Sequence, residues 1–443
     1  MQVSFGVKHD VLRKYGIPDG WRVCEVNDLT DIVGGGTPSR TEGRYWSDGD
    51  IPWATPTDLT ALQAKYISGS AECITQVGLE ESSATLLPQN SILYTSRATI
   101  GAKAITTIPI ATNQGFSNFI PHDVDSEFFY YLLDLLTPII KRLGSGTTFD
   151  EVSKRDIRKI WCALPPPEEQ KAIAQVLDAA DIAIEQIREA INRAQQFQKS
   201  LLRDLLSNGI DSNGQIKNPG KTSSKFSNSS LGQLPSNWKL SAVSEQFEIQ
   251  TGFTINQNRH PYFHKRQYLR VANVQRDFLN LNDVQELEAS DSEMALRTLE
   301  VDDLLVVEGH ADRLQIGRCA RVTEKAEGLT FQNHLFRLRA NNEITPYFGC
   351  LWLNSTYALK YWNARCATSS GLNTINQRML RRLIIPVPSA KEQEMISEIN
   401  QAHKKYIEAL IEKRQKLLSL KNSLMHDLLT GKKRINPDKL LSP

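Results

Sequence analysis

Residues 165–206 read PPPEEQKAIAQVLDAADIAIEQIREAINRAQQFQKSLLRDLL, and residues 388–429 read PSAKEQEMISEINQAHKKYIEALIEKRQKLLSLKNSLMHDLL. The two stretches align at an offset of 223, and the ungapped match extends back to about residues 149 and 372. Both have proline before a Glu-Gln pair and end in Asp-Leu-Leu followed by Ser or Thr. A match of this length is hard to obtain by chance and indicates an internal duplication.

Each stretch is predicted to form one long helix of ~38 residues, which corresponds to ~57 Å. Proline is excluded from a helix interior, so each helix should begin just after its prolines, where glutamates suit the positive helix end. The ten seam positions of the first helix, nine of them apolar, are Ile173, Leu177, Ala180, Ile184, Ile187, Ile191, Ala194, Gln198, Leu201 and Leu205. The matching ten positions of the second helix, six of them apolar, are Ile396, Asn400, His403, Ile407, Leu410, Arg414, Leu417, Lys421, Leu424 and Leu428. This 4,3 spacing is typical of a coiled coil.

We expect the two helices to pack on each other through their apolar seams. The side chains expected to carry this pairing are Ile173, Leu177, Ile184, Ile187, Ile191, Leu201, Ile396, Ile407, Leu410, Leu417 and Leu424. Homodimerisation through one helix is the alternative, but two copies in one chain favour pairing within the chain. The polar seam positions of the second helix are of the kind that fixes register or partner choice.

The regions before the helices repeat more loosely. Pro18-x-x-Trp21 aligns with Pro235-x-x-Trp238 at an offset of 217, and Gln114 aligns with Gln332 at 218. Short strands with helices over about 126–143 and 346–365 predict α+β domains. The predicted organisation is a first domain (1–164), a long helix (165–207), a linker (208–231), a second domain (232–388), a second long helix (389–430) and a basic tail (431–443).

The composition excludes several classes of protein. The 443 residues are 40% hydrophobic, with a mean hydropathy of −0.37, which is ordinary for a soluble protein of two or three domains. No stretch approaches the ~18 apolar residues of a membrane span, and the N-terminus has no signal-like segment. The six cysteines are scattered without a CxxC pair, so we expect reduced thiols and a cytoplasmic location.

The charge is unevenly distributed. The net charge is only +2, but residues 1–150 carry 11 Lys and Arg against 17 Asp and Glu, whereas residues 221–390 carry 20 against 16. If the chain binds nucleic acid, a partner is therefore expected to supply much of the phosphate neutralisation.

Motifs of catalysis are missing from the sequence. There is no GxxxxGK[ST] phosphate loop, and Gly34-Gly35-Gly36 runs into Thr37-Pro38 rather than into a helix. The eight histidines show no metal-ligand spacing. We therefore expect a non-enzyme that binds no metal or cofactor itself.

Polar side chains near predicted turns and strand ends are the candidates for contacts to DNA, because Arg suits guanine, amides suit adenine, and Lys and Arg suit phosphates. The candidates in the first half are Thr37, Ser39, Arg40, Tyr45, Arg97, Thr99, Asn113, Gln114, Lys154 and Arg155. Those in the second half are Arg270, Asn273, Gln275, His310, Arg313, Gln332, Asn333, His334, Arg378 and Arg381. A lone loop arginine is more often simply solvated, and Trp46 and Trp53 are more often core aromatics than ligand contacts.

Taken together and in this order, the motifs resemble the specificity (S) subunit of type I restriction–modification systems. The resemblance covers roughly residues 15–430. Its motifs are Gly35-Gly36-Thr37-Pro38-Ser39, Asp50-Ile51-Pro52-Trp53, Ser96-Arg97-Ala98-Thr99-Ile100-Gly101, Pro165-Pro166-Pro167-Glu168-Glu169-Gln170, Tyr268-Leu269-Arg270-Val271-Ala272-Asn273-Val274-Gln275, Gln332-Asn333-His334-Leu335 and Glu392-Gln393. The last motif departs slightly from the family pattern. Ser389-Ala390-Lys391 stands where more proline and acidic residues are expected.

The resemblance implies two α+β target recognition domains joined by two long antiparallel coiled-coil helices with pseudo-twofold symmetry. Each domain would read one half of a bipartite, asymmetric double-stranded DNA site, and the helices would set the spacer between the halves. Two methyltransferase (M) subunits would dock on the chain, and restriction (R) subunits would join through the complex. S-adenosylmethionine, ATP and Mg would be bound by those partners. A type IIB-like specificity subunit and a protein-only coiled-coil adaptor are the alternatives.

Overall fold

The computed structural model describes residues 10–97, 99–144, 152–220, 225–369 and 371–437. The chain divides into two compact units, Met1–Glu189 with Glu412–Pro443, and Ala190–Ile411. Each unit contains one globular domain, the N-terminal half of one long helix and the C-terminal half of the other. Among the described residues, no helix is long and apolar enough to cross a membrane.

The helices are α1 (Asp10–Tyr15), α2 (Pro56–Ala61), α3 (Gln76–Glu80), α4 (Ser126–Gly144), α5 (Lys154–Arg158), α6 (Pro167–Asn208), α7 (Val243–Gln246), α8 (Asp291–Met294), α9 (Pro346–Leu353), α10 (Thr356–Arg365), α11 (Gln377–Arg382) and α12 (Ala390–Leu429). The long helices α6 and α12 have 42 and 40 residues. Gly209 and Gly431 follow them with φ of +66° and +68°, a left-handed conformation that glycine adopts readily at a helix end.

The first unit is built on one large and two small sheets. Its strands are β1 (Arg22–Glu25), β2 (Thr30–Gly34), β3 (Ile51–Ala54), β4 (Tyr66–Ile67), β5 (Glu72–Ile74), β6 (Ile92–Tyr94), β7 (Lys103–Thr106), β8 (Ala111–Thr112), β9 (Ser117–Pro121) and β10 (Trp161–Leu164). The five-stranded sheet has the order β2-β9-β6-β7-β4, and the smaller sheets are β5-β3-β8 and β1-β10. The main core joins α4, through residues such as Phe128, to Leu177 of α6 and Leu428 of α12. The long helices are therefore part of this domain's core.

The second unit repeats this plan with a different division of strands. Its strands are β11 (Phe226–Ser229), β12 (Gly232–Pro235), β13 (Lys239–Ala242), β14 (Phe247–Thr251), β15 (Lys265–Leu269), β16 (Gln285–Glu288), β17 (Leu304–Val307), β18 (Gly309–His310), β19 (Cys319–Arg321), β20 (Thr330–Phe331), β21 (Leu335–Ala340), β22 (Ala367–Ser369), β23 (Leu372–Thr374) and β24 (Ile384–Val387). The sheets are β14-β21-β17-β19, β16-β15-β20, β18-β23-β22, β13-β24 and β11-β12. Here Trp352 and Trp362 share a core with Leu205 of α6 and Ile396 of α12.

The seam of the long helices is enclosed within each unit. All twenty seam positions are buried or half-buried, including the polar ones. In the second unit His403 Nε2 lies 2.9 Å from the carbonyl oxygen of Ala194, and Gln198 donates to Asn400 Oδ1 at 3.5 Å. In the first unit Lys421 donates to Asp181 Oδ1 at 2.5 Å. Residues with higher numbers on α6 therefore contact residues with lower numbers on α12. The two helices pair in antiparallel orientation in both units.

Two predicted segments differ in detail from the structure. The helix expected over 346–365 is divided into α9 and α10, because the Asn354 amide bonds to both the N–H and the carbonyl of Cys319 and draws the chain to the edge of β19. Ser355 then begins α10 by accepting the Ala358 N–H. The segment expected to be a linker over 208–231 contains β11 and the buried Ile210.

Candidate nucleic-acid interface

In the first unit, three loops meet at the ends of the sheets. Gly35 lies so close to the carbonyl oxygens of Thr112 and Asn113 that a Cβ there would be 2.3 and 2.0 Å from them. Only glycine allows this approach. The close approach lets the Thr37 hydroxyl donate to the Gln114 side chain. The sequence candidates Thr37, Asn113 and Gln114 are therefore brought together.

The third loop of the first unit carries Arg97 and Thr99, both of which are exposed. It adjoins the second loop because the Ser96 N–H donates to the carbonyl of Gly115 at 3.0 Å. The Asn113 side chain accepts the Gly115 N–H at 2.8 Å, which orders the same turn. The result is a surface of hydroxyl, amide and guanidinium groups, the donors and acceptors that read base edges.

The second unit has an equivalent arrangement. Gly252 packs against the carbonyl oxygens of Phe331 and Gln332, and a Cβ there would be 2.1 and 2.5 Å away. The Phe253 N–H donates to the Phe331 carbonyl at 2.8 Å, as the Gly36 N–H does to Thr112 at 2.9 Å. Candidates Gln332, Asn333 and His334 therefore hold the place that Asn113 and Gln114 hold in the first unit.

Two further loops of the second unit complete this surface. His334 Nδ1 lies 2.8 Å from Glu308 Oε2. Arg313 Nε donates to the Asn373 side chain at 3.1 Å, and that amide donates to the Ala311 carbonyl at 2.8 Å. Asn373 therefore orients the loop of His310 and Arg313. Sequence reasoning missed Asn373 because it lies sixty residues from Arg313 and belongs to no motif.

The candidates for phosphate contacts lie on two matching short helices. Lys154 and Arg155 are exposed on α5, which begins at the N-cap Ser153. Arg378 and Arg381 are exposed on α11, which begins at the N-cap Asn376, 223 residues later. The Lys154 side chain reaches the loop surface of the first unit, since its Nζ lies close to Gly34.

Two candidates are corrected by the structure, because their side chains are committed to the fold. Tyr45 is only 8% exposed, and its hydroxyl donates to Glu81 at 2.8 Å. Asn273 is 3% exposed, and its amide donates to the carbonyls of Asn280 and Asp283. Neither is placed to contact a base. The polar hydroxyl of Tyr45 makes it a candidate in the sequence, but a sequence cannot assign that hydroxyl to solvent or to the core.

Other candidates are exposed or half-buried and are engaged in local interactions. Arg40 stacks on Trp46, with 3.7 Å between guanidinium carbon and ring centroid, and forms two hydrogen bonds to Glu72. These bonds hold the pKa of Glu72 below its ordinary value. Arg270 pairs with Asp283 at 2.5 Å. Two more candidates form local hydrogen bonds. The Ser39 hydroxyl is hydrogen-bonded to that of Thr41, and the Gln275 amide donates to the carbonyl of Ala272.

In both units the loop surface supplies hydrogen-bond donors and acceptors for recognition of a ligand. Within the described ranges, no group of three or more His, Cys, Asp or Glu side chains could hold a metal ion. Trp53 is only 2% exposed, and its indole N–H donates to the carbonyl of Gly36. This buried hydrogen bond helps to hold the first loop in place.

Comparisons with known proteins identify the family of the chain. A family model described as the type I restriction modification DNA specificity domain matches twice, over residues 18–195 and 235–420. The type I restriction enzyme MjaIX specificity subunit of Methanocaldococcus jannaschii is 33% identical over 293 residues, which is 63% of this chain and 64% of that subunit. The alignment thus spans less than two thirds of that relative. The EcoKI specificity subunit of Escherichia coli is 21% identical over 403 residues, 87% of this chain and 82% of the subunit.

Solved structures show the same fold. The HsdS subunit from Thermoanaerobacter tengcongensis aligns over 96% of this chain and 100% of its own length, with a TM-score of 0.53 and 16% identity. A chain from a structure that addresses complex assembly and conformational transition of the type I R-M system aligns with a TM-score of 0.63 and 16% identity, over 94% of this chain and 99% of that one.

Proposed function

This chain belongs to the type I restriction–modification DNA specificity family, and we propose that it is the DNA-reading subunit of such a system. Its first domain would read one half of a bipartite double-stranded site and its second domain the other half. The observation that carries the proposal is the repeated loop surface. In each unit a glycine-dependent approach of two loops brings amide groups together with exposed basic side chains, and the first unit adds the exposed Thr99 hydroxyl.

The two surfaces differ in chemistry, so the half-sites should differ. The first presents Thr37, Gln114 and Arg97, whereas the second presents His310, Arg313 and a His334–Glu308 pair. Different donor and acceptor patterns select different base edges. An asymmetric target follows from this difference.

We further propose that catalysis lies on partner subunits. A chain that only reads DNA needs methyltransferase (M) subunits, which would carry S-adenosylmethionine, and restriction (R) subunits, which would use ATP and Mg. The net −6 charge of residues 1–150 supports this, because a partner must then neutralise much of the phosphate charge. Extrusion of the target base would also require a clamp on the DNA. The proposed location of the complex is the cytoplasm.

The function is tested with the purified complex of this chain and its M subunit. We expect methylation confined to one bipartite motif. Arg97→Ala should relax base preference in one half-site only, and Arg313→Ala in the other, by roughly 1–3 kcal/mol of discrimination each. The controls are Arg22→Ala and Lys239→Ala, which remove exposed cations on β1 and β13 outside the loop surfaces. Methylation without regard to sequence would contradict the proposal, and a complex without DNA affinity at low salt would favour a protein-only adaptor.

A further inference from the structure

The second unit displays two aromatic rings that remain exposed among the residues described for the unit. They lie in the aromatic loop, residues 256–266. Phe263 is 80% exposed and Tyr262 is 73% exposed, more than any other large hydrophobic side chain that the structure describes. Their ring centroids are 4.3 Å apart. Adjacent exposed apolar groups of this kind mark an interaction site rather than chance surface composition.

The aromatic loop is held in place by its neighbours. The carboxylate of Glu288 accepts the Tyr262 N–H at 2.7 Å and the His264 N–H at 2.6 Å, so one side chain fixes the backbone on both sides of the ring pair. These backbone bonds also lower the pKa of Glu288. Arg259 donates to the carbonyl of Glu288 and to the carboxylate of Glu293. The rings are thus presented by an ordered loop, which reduces the entropy lost on binding.

The charged side chains beside the rings favour a nucleic acid as the partner. Residues 249–276 contain five Lys and Arg and two His, and no Asp or Glu. Carboxylates from residues 283–293 form ion pairs with Arg259, Arg266 and Arg270. Lys265, His260 and His264 are exposed beside the rings. Among the described residues, no carboxylate forms an ion pair with Lys265. Cations interleaved with aromatic rings complement the phosphates and base faces of nucleic acid.

The aromatic loop is continuous with the candidate interface of the second unit. A cavity of about 480 Å³ is lined by Asn256 and Arg259 from the loop and by Glu308 and Asn333 from the candidate interface. The Phe253 ring forms its floor, with the guanidinium carbons of Arg259 and Arg297 at 4.9 and 4.8 Å from the ring centroid. A duplex seated on Asn333 and His334 would therefore pass close to the aromatic loop.

We propose that the aromatic loop is a second DNA contact of this unit, at base pairs that flank the half-site. Tyr262 and Phe263 pack against sugars and an opened base step, and Lys265 contacts a phosphate. Apolar side chains inserted at a base step kink DNA, so the loop bends the duplex beside one half-site. This contact rests on the proposed function but adds a flanking contact that reads no base.

Among the residues that the structure describes, the matching segment of the first unit offers no such contact. In the segment after Gly36, Arg40 covers Trp46 and is itself bound by Glu72, while Tyr45 and Trp53 are buried. The bend is therefore confined to the side of the site that the second unit reads.

The test uses the full chain in complex with its M subunit. The probe is a duplex that carries the site methylated in the host genome, labelled at both ends for fluorescence energy transfer. Tyr262→Ala with Phe263→Ala should weaken binding roughly tenfold and remove the bend, while the methylated motif stays the same. Tyr262→Phe should retain wild-type affinity, because it keeps the ring. Lys265→Gln should reduce the slope of affinity against salt by about one. Leu240→Ala, which truncates an exposed apolar side chain on β13, is the matched control.

Several results would overturn the flanking contact. Unchanged affinity and bend in the double variant would do so. Impaired assembly with the M subunit, with normal DNA binding by the complex that does form, would assign the loop to a protein partner. A changed motif would place the rings inside the half-site. A wild-type complex that shows no sequence-specific binding would instead refute the proposed function itself.

Discussion

Glu169 and Glu392 occupy the same position in the first turns of the two long helices, and both are almost fully buried. Glu169 accepts two bonds of 2.7 Å from Arg434 and one of 3.2 Å from the Trp21 indole. Glu392 accepts Lys217 Nζ at 2.8 Å and the Ile210 N–H at 3.0 Å. A buried carboxylate without partners is costly. The segment that follows each helix therefore supplies the cation that neutralises the start of the other.

We predict that Arg434→Ala lowers the free energy of unfolding of the first unit by roughly 2–3 kcal/mol, because it leaves a buried carboxylate with one weak donor. Lys217→Ala should do the same to the second unit. Amide hydrogen exchange followed separately in the two units measures both effects. Lys239→Ala removes an exposed pair with Glu343 and should cost less than about 1 kcal/mol. Equal losses in all three variants would contradict a specific role for the buried pairs.

A second prediction concerns the stability of the second unit at low pH. Arg259 and the Ser290 backbone lower the pKa of Glu293 from 4.5 to about 2. Because the folded-state pKa lies below the unfolded one, the carboxylate stabilises the second unit above pH 4.5, and this contribution is lost as the pH falls towards 2. Glu293→Gln should therefore destabilise the unit at neutral pH, and the difference from wild type should shrink on acidification. Thermal unfolding between pH 7 and pH 3 tests this, with probes in the first unit as the control. A constant difference would refute it.

A third prediction concerns which face of the long helix α6 is packed in the core. Leu177 is fully buried in the core that α4, α6 and α12 share, whereas Ile182, five residues on, is 59% exposed. Leu177→Ala should lower the free energy of unfolding of the first unit by about 3 kcal/mol, because the core cannot collapse around the lost volume. Ile182→Ala should change it by less than about 0.5 kcal/mol. Denaturant unfolding measures both, and similar losses would show that the seam was assigned to the wrong face.

The apolar periodicity alone predicts α6 and α12, because a 4,3 apolar repeat over so many residues fits few structures other than a long coiled-coil helix. It could not predict the partners of the polar seam positions. Asn400 is 2% exposed and donates to the Tyr347 hydroxyl on α9, fifty-three residues earlier in the chain. Such a contact depends on tertiary packing and leaves no mark on local sequence. The break between α9 and α10 cannot be predicted from local sequence for the same reason, because it depends on the contact of Asn354 with β19.

The candidate interface was predicted in part. Glycine-rich and amide-bearing motifs predict Thr37, Gln114 and Gln332 as interface residues, because tight turns and polar side chains are visible in sequence. The structure places all three on loops, and their contact with DNA stays a prediction. Burial removed Tyr45 and Asn273. The aromatic loop was missed although its signal, two aromatics among cations with no acid, is present in the sequence.

For the whole molecule, we predict that the helices set the distance between the two half-sites. Each long helix contributes one half to each unit, so a change in helix length should change spacing without changing either reading surface. Deleting one heptad from both α6 and α12 should alter the spacer of the methylated motif and leave the half-sites intact. The control is a deletion of residues 221–224, which spares Ile210, Lys217 and β11. An unchanged spacer would refute this role.

In the proposed function, two different domains of one chain read two halves of one DNA site. This is tested most directly by mapping methylated bases across the host genome with and without this gene. We predict a single bipartite, asymmetric motif whose methylation disappears when the gene is deleted and returns with the wild-type chain. Methylation that persists without the gene, or that is lost from a contiguous palindromic motif, would contradict the claim.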